Sequence, residues 1–319
     1  MINSEDKLLE NKKDEVCSGD NYINRAINSI HGQALDSLLT FALWLKNNNK
    51  PIDQVEALLT DIVQHPKYIS EGKVNPLIFI QTFDDYLVEQ LGTSDLDSIK
   101  HFEWLAFSEH RLLSLVSGKL FVDGLNCADT LSKIKYYPRE VKLYMIASNW
   151  DIIASEQAFV KRCGECGDEI GSRIICSRIA ERLMRLCFLY KNTYAPYSKW
   201  FGTAFGSLDV DDVIKNAISL ALSANSLEER EDRIVEAQAL VAEMHNASGL
   251  TDCVDYQIEN YFGRNIKVIF ADKFAEATAN ELKNTAFENV PLIGTLSQIG
   301  GLSSFADEKE YYTQIARLY

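Results

Sequence analysis

Apolar residues recur at intervals of three and four along most of the chain, the spacing that gathers them on one face of an α-helix. Over 22–48 the set Ile23, Ile27, Ile30, Leu35, Leu38, Leu39, Ala42 and Leu45 follows this rule until an Asn/Pro stop at 47–51. A second helix is expected over 53–64, so residues 21–70 read as an N-terminal helical hairpin behind a polar, aperiodic tail at 1–20. The contiguous apolar run Leu77, Ile78, Phe79 and Ile80 after Pro76 predicts a short buried strand. Helices are then expected over 83–91, 108–117, 127–135 and 138–163, the last opening on Pro138.

Gly164, Gly167 and Gly171 interrupt the pattern, and Asp168 stands where it can cap a new helix running to 191. Residues 138–191 therefore predict two packed helices, with Gly171 at their close approach. Further helices are expected beyond Pro196 and over 210–223, 227–246, 272–283 and 308–318, with strand-like alternation at 265–271 and a Gly/Ser-rich loop at 294–304. The fold class is mainly α: a multi-helix bundle with one or two minor strands, 71–319 forming the helical domain.

Composition narrows the classes of partner. With 319 residues, 46% of them hydrophobic, the chain can bury one large core or two modest ones. Its 32 Lys and Arg against 46 Asp and Glu give a net charge of -14, which repels phosphate backbones and anionic lipid. Neither nucleic acid nor a membrane is an expected partner. No apolar run approaches the roughly 20 residues that span a bilayer, and the charged start lacks a signal-peptide core, so a cytoplasmic location is expected. The seven cysteines, at 17, 127, 163, 166, 176, 187 and 253, are expected to be reduced thiols.

Three motifs bear on chemistry. Cys163 and Cys166, two residues apart, have the spacing of half a zinc site or of a redox pair, but a zinc site needs two further ligands, and packing thiols have the same spacing. No metal site is assigned. Gly206, Ser207, Asp209 and Asp211 imitate the elements of a nucleotidyltransferase, yet the carboxylates follow too closely and precede a helical pattern, so Asp209 or Asp211 is expected to be an N-cap. The third is a charged segment: Arg162, Glu165, Asp168, Glu169, Arg173, Arg178, Arg182 and Arg185, then Tyr194, Tyr197, Ser198, Lys199 and Trp200. Arg178, Arg182 and Arg185 fall on one helix face, expected opposite the apolar set Ile170, Ile174, Leu183 and Leu186. Such a row can bind phosphate bidentately, with Lys199 and the tyrosines holding a polyphosphate and a base. It can equally pair within the chain, Glu169 with Arg173 and Glu181 with Arg185. Both readings stay open. The histidines at 31, 65, 101, 110 and 245 lack metal-ligand spacing, and His110 reads as part of a polar helix start.

The stretch 104–208 resembles the domain-of-unknown-function 4037 family of bacterial proteins. The runs that carry the likeness start at Glu109 (EHRLL), Phe121 (FVDGL), Tyr136 (YYPREV), Glu156 (EQAFV), Gly164 (GECGDEIGSR), Met184 (MRLCF) and Tyr194 (YAPYSKWFGTAF). Weaker likeness extends over 75–319. Longer members look like nucleotidyltransferases in which an N-terminal sheet with acidic metal ligands precedes this helical domain. The resemblance makes Tyr197, Ser198 and Lys199 nucleotide contacts and turns Glu165, Asp168, Glu169 and Arg173 toward an acceptor. It also makes the strand near 77–80 a remnant of that sheet, and the 21–65 region, which resembles part of unrelated large bacterial proteins, a truncation or rearrangement.

The expectation is therefore a non-catalytic or partner-dependent helical module, with a nucleotide or other small anion held by Arg173, Arg182, Arg185, Tyr197, Ser198 and Lys199. A protein partner would supply the catalytic sheet. No cofactor is expected on the chain alone; Mg²⁺ and a nucleoside triphosphate enter if transferase activity exists. The alternatives are an intact transferase with unrecognised metal ligands and a structural interaction domain.

Overall fold

A computed structural model describes residues 22–25, 78–121 and 123–295. In chain order the elements are β1 (Tyr22–Arg25), β2 (Ile78–Gln81), α1 (Phe83–Leu91), α2 (His101–Ala106), α3 (Glu109–Ser117), α4 (Cys127–Ser132), α5 (Arg139–Glu156) and α6 (Phe159–Glu165). They continue with α7 (Glu169–Tyr190), α8 (Ser198–Ser207), α9 (Asp212–Ser223), α10 (Leu227–Ala247), β3 (Glu259–Asn260), β4 (Lys267–Val268) and α11 (Asp272–Asn280). The fold is mainly helical, as its periodicity requires, and no described helix is long and apolar enough to cross a membrane.

The described residues form two compact units. One holds 22–25, 78–98, 114–121 and 123–135. Here β1 and β2 pair antiparallel, with Tyr22 opposite Gln81 and Arg25 opposite Ile78. The strand expected at 77–80 is present, but the helix expected to begin at residue 22 is not: 22–25 is a strand. Backbone groups of a lone strand need a partner, and that tertiary demand overrides a helical pattern only one turn long. The remainder of the expected hairpin, including the helix at 53–64, lies outside the described residues, as do the helix at 308–318 and most of the loop at 294–304. Thr82 caps α1, accepting from the Asp85 amide at 3.0 Å, and Gly92 closes it with φ 79°. Asp123, in the FVDGL run, accepts from the Cys127 and Ala128 amides at 2.5 and 3.0 Å and so fixes the start of α4.

The other unit holds 99–113 and 136–295. Its helix α5 buries residues on every side, Leu143 to Trp150 without a gap, and lies against α2, α7 and α11. Helix α7 turns a stripe of Ser172, Cys176, Ile179, Leu183, Leu186 and Tyr190 inward and packs on α5, α6, α9 and α10. That stripe corrects the expected phase. Ile170 and Ile174 are 74% and 51% exposed, because about 100° per residue puts them opposite the buried stripe, while the arginines flank it. Helix α2 was not evident from periodicity; six residues are too few to show it.

The segment expected as one helix over 138–163 is two, α5 and α6, parted at Gln157 and Ala158. Gln157 accepts from the amide of Ala271 at 3.4 Å, a distant contact that local pattern cannot reveal. The break near the glycines is present. Gly167 takes a left-handed φ of 79°, the amide of Asp168 donates to the Cys163 carbonyl at 2.9 Å, and the Asp168 carboxylate caps α7 through the Gly171 amide at 2.8 Å. The close helix approach, however, is at Gly164, where a Cβ would stand 2.4 Å from the Leu227 side chain on α10; at Gly171 it would meet the capping carboxylate itself. Asp211 caps α9, accepting from the Val213 amide at 2.9 Å. The alternation over 265–271 yields only β4, paired antiparallel with β3.

A hydrogen-bonded chain crosses this core. Trp150 Nε1 donates to the Tyr190 hydroxyl at 2.9 Å, which leaves that hydroxyl to donate to His245 Nδ1 at 2.9 Å. The ring proton then sits on Nε2 and goes to Thr251 Oγ1 at 2.9 Å, whose own proton goes to the Asp252 carbonyl at 2.8 Å. Burial pushes the His245 imidazole down to about 4.

Candidate functional site

Helix α7 presents its charges in two groups. At its start, Glu169 receives both terminal nitrogens of Arg230, a buried side chain on α10, and the Arg173 Nε at 2.8 Å. Arg230 also donates to Ser172 Oγ at 2.7 Å, which donates in turn to the Val160 carbonyl at 2.7 Å. The hydrogen bonds from Arg230, ahead of those from Arg173, hold the Glu169 carboxyl below its ordinary range. Asp168 is the helix cap, and Glu165 is exposed on the last turn of α6. Beside this group Lys161 and Glu231 form a buried ion pair at 2.8 Å, and Glu231 also accepts the Lys267 amide at 2.9 Å.

Toward the other end Arg178 meets Glu156 at 2.5 Å, and Arg185 meets Glu181 at 2.9 Å and Glu109 at 3.4 Å. The guanidinium of Arg185 also lies 5.0 Å from the ring centre of Phe201. Glu109, first residue of α3, is buried, and burial raises its carboxyl, with Arg185 and the backbone of Ala195 pulling the other way. Tyr136, Tyr137 and Tyr194 gather beside it, with ring centres 4.8–5.1 Å apart. Burial first, and the Glu109 charge second, push all three phenols up. The Tyr136 hydroxyl is buried without a hydrogen-bond partner among the described residues. Burial also lowers the Arg182 guanidinium.

At the edge of this cluster His110 accepts or donates at 2.7 Å with Ser108 Oγ and sets its ring edge-on to Tyr197, centres 5.7 Å apart. Tyr197 precedes α8 and its side chain does not cap it. Ser198 and Lys199 are exposed on the first turn, with Lys199 Nζ 5.1 Å from the centre of the Trp200 ring.

Arg182, Arg185 and residues 197–199 thus belong to one end, whereas Glu165, Asp168, Glu169 and Arg173 belong to the other. Twelve residues of helix separate Arg173 from Arg185, roughly 18 Å at the α-helical rise. Glu109 reads from sequence as a polar helix start, and local reasoning singles out neither it nor Tyr136, Tyr137 and Arg230 as site residues, whereas Tyr194 already belongs to the charged segment. Glu109, Tyr136, Tyr137 and Tyr194 each lie in a run that carries the family likeness, and that clustering was the available signal. Arg230 sits in a Glu/Arg-rich helix that reads as solvated, and nothing local marks it as buried. Among the described residues no group of three or more His, Cys, Asp or Glu is arranged to hold a metal ion.

The class so defined is a mainly helical domain organised on a buried carboxylate, guanidinium and tyrosine cluster. Residues 104–201 match the family model described as Domain of unknown function (DUF4037), a span that contains Glu109, the three tyrosines, Arg185 and residues 197–199. No curated protein and no solved structure matches the chain.

Proposed function

We propose that the chain is a helical binding module related to nucleotidyltransferases, acting in the cytoplasm, that takes a nucleotide or another small anion at the start of α8. The observation that carries this reading is the open first turn of α8: no side chain caps it, and Ser198 and Lys199 are exposed there beside Tyr197. The amides of a first helical turn and the helix dipole favour an anion, and an ammonium group on the same turn adds a charge-assisted bond. Tyr197 and Trp200 offer flat faces for a base. Arg185, whose guanidinium lies 5.0 Å from the Phe201 ring centre on α8, and Arg182 one turn earlier on α7 would add positive charge to this site, while Arg173 at the far end of α7 would act separately.

Catalysis is assigned to a partner that supplies a sheet with paired carboxylates, because metal-assisted phosphoryl transfer needs fixed acidic ligands and residues 21–81 carry none at the required spacing. Mg²⁺ and a nucleoside triphosphate would be the reagents of that assembly. Titration calorimetry of ATP, with and without Mg²⁺, into wild type and Lys199→Ala tests the module. Wild type is expected to bind and the variant to bind at least several-fold more weakly. Equal or absent binding removes Lys199 from any site, and robust turnover by the wild type alone overturns the partner-dependent reading. A structural role is the second reading, favoured by one observation: Arg173, Arg178, Arg185 and Arg230 all have carboxylate partners inside the chain.

A further inference from the structure

We propose that Cys163 and Cys166 are a reversible dithiol–disulfide pair that staples the last turn of α6. The sequence spacing alone leaves packing, metal binding and redox chemistry open. The backbone separates them. The amide of Cys166 donates to the Cys163 carbonyl at 3.1 Å as well as to that of Arg162 at 3.3 Å, so the turn tightens toward 3-10 geometry. In such a turn side chains at i and i+3 eclipse one another, so the two cysteines lie on one side of it with Cα atoms about 6 Å apart, inside the range a disulfide spans. Gly167 follows the pair and, in its left-handed conformation, ends the turn with its amide donating to the Gly164 carbonyl at 2.9 Å.

Access differs usefully between the two thiols. Cys166 is exposed and Cys163 is half-buried, whereas Cys127, Cys176 and Cys187 are buried, the last two with thiols pushed up by burial to about 11 and about 12. A metal reading lacks further ligands among the described residues. The oxidant is a low-molecular-weight disulfide such as glutathione disulfide. The Cys166 thiolate attacks one of its sulfurs, forming a mixed disulfide and releasing one glutathione thiolate. The Cys163 thiolate then attacks the Cys166 sulfur and releases the second glutathione. Two protein thiols lose two protons and two electrons, and two molecules of glutathione form. The turn so locked carries Asp168, the cap of α7, through the bond from its amide to the Cys163 carbonyl, so the redox state acts on the α6–α7 joint.

The test is peptide mapping of the full chain after incubation with glutathione disulfide and alkylation of the remaining thiols. Trypsin cleavage after Arg162 and Arg173 releases both cysteines on a single peptide that contains no other. In wild type that peptide is expected to lose the mass of two hydrogens and resist alkylation, with reversal by a dithiol reductant. Cys163→Ser, lacking the resolving thiol, is expected to hold a stable glutathione adduct on Cys166. Exposed Cys253 is the internal control for oxidant access. A stable glutathione adduct on wild-type Cys166 with Cys163 still alkylated, or an unmodified peptide when Cys253 is modified, overturns the proposal.

Discussion

Asp168 and Gly171 depend on each other at the start of α7. The Asp168 carboxylate caps the helix through the Gly171 amide at 2.8 Å, and a Cβ at 171 would stand 2.1 Å from the other carboxylate oxygen. Asp168→Ala is therefore expected to destabilise the protein by about 1 kcal/mol, the ordinary worth of an N-cap. Gly171→Ala displaces the same cap but gains about 1 kcal/mol of helix propensity, so it should be nearly neutral. In the Asp168→Ala background, where no cap remains to lose, Gly171→Ala should stabilise by about 1 kcal/mol. Urea denaturation of the four proteins measures the coupling. Destabilisation by Gly171→Ala in that background would assign the glycine to packing against another helix.

Among the elements, α6, α7, α10 and β4 meet around Lys161 and Glu231, whose side chains are 9% and 5% exposed. The hydrogen bond from Lys161 to Glu231 keeps the ammonium charged against the pull of burial. Lys161→Met strands a buried carboxylate and is expected to cost roughly 3 kcal/mol. Adding Glu231→Gln neutralises that charge and keeps an acceptor for the Lys267 amide, so the double variant should regain most of the loss; if it does not, the cost lies in packing. This junction shows where sequence reading stops. The boundary at Asp168 and the cap at Asp211 were legible because caps and glycines act on neighbouring residues. The phase of α7 is not legible, since Ile170 and Ile174 look like core residues until the helix is placed against its neighbours. Glu109, Arg230 and the Lys161–Glu231 pair are joined across 58–76 residues of chain, and no local pattern encodes such pairings. The arginine row is legible in the sequence, but whether it faces a ligand or its own carboxylates is a tertiary property.

For the molecule as a whole, pH acts through groups of opposite sign. Burial raises the carboxyls of Glu109, Asp151 and Glu156, so their folded forms bind protons more readily than the unfolded chain and favour folding as pH falls. Lower pH also relieves the self-repulsion of a chain with net charge -14. His245 works against both. Its ring is buried, accepts from Tyr190 and is held neutral, its folded value lowered to about 4 from 6.5. The unfolded state therefore binds the extra proton, and the stability His245 contributes is fully present above about pH 6.5 and lost as pH falls toward 4. Between pH 7 and pH 5 that loss amounts to roughly 2 kcal/mol by linkage. His245→Asn retains an acceptor near Nδ1 for the Tyr190 hydroxyl but does not titrate. Unfolding free energies of wild type and variant, measured across this range, should converge as pH falls, the variant lacking the loss specific to His245. A constant gap between the two curves from pH 7 to pH 5 would show that the imidazole is free to take up its proton in the folded protein.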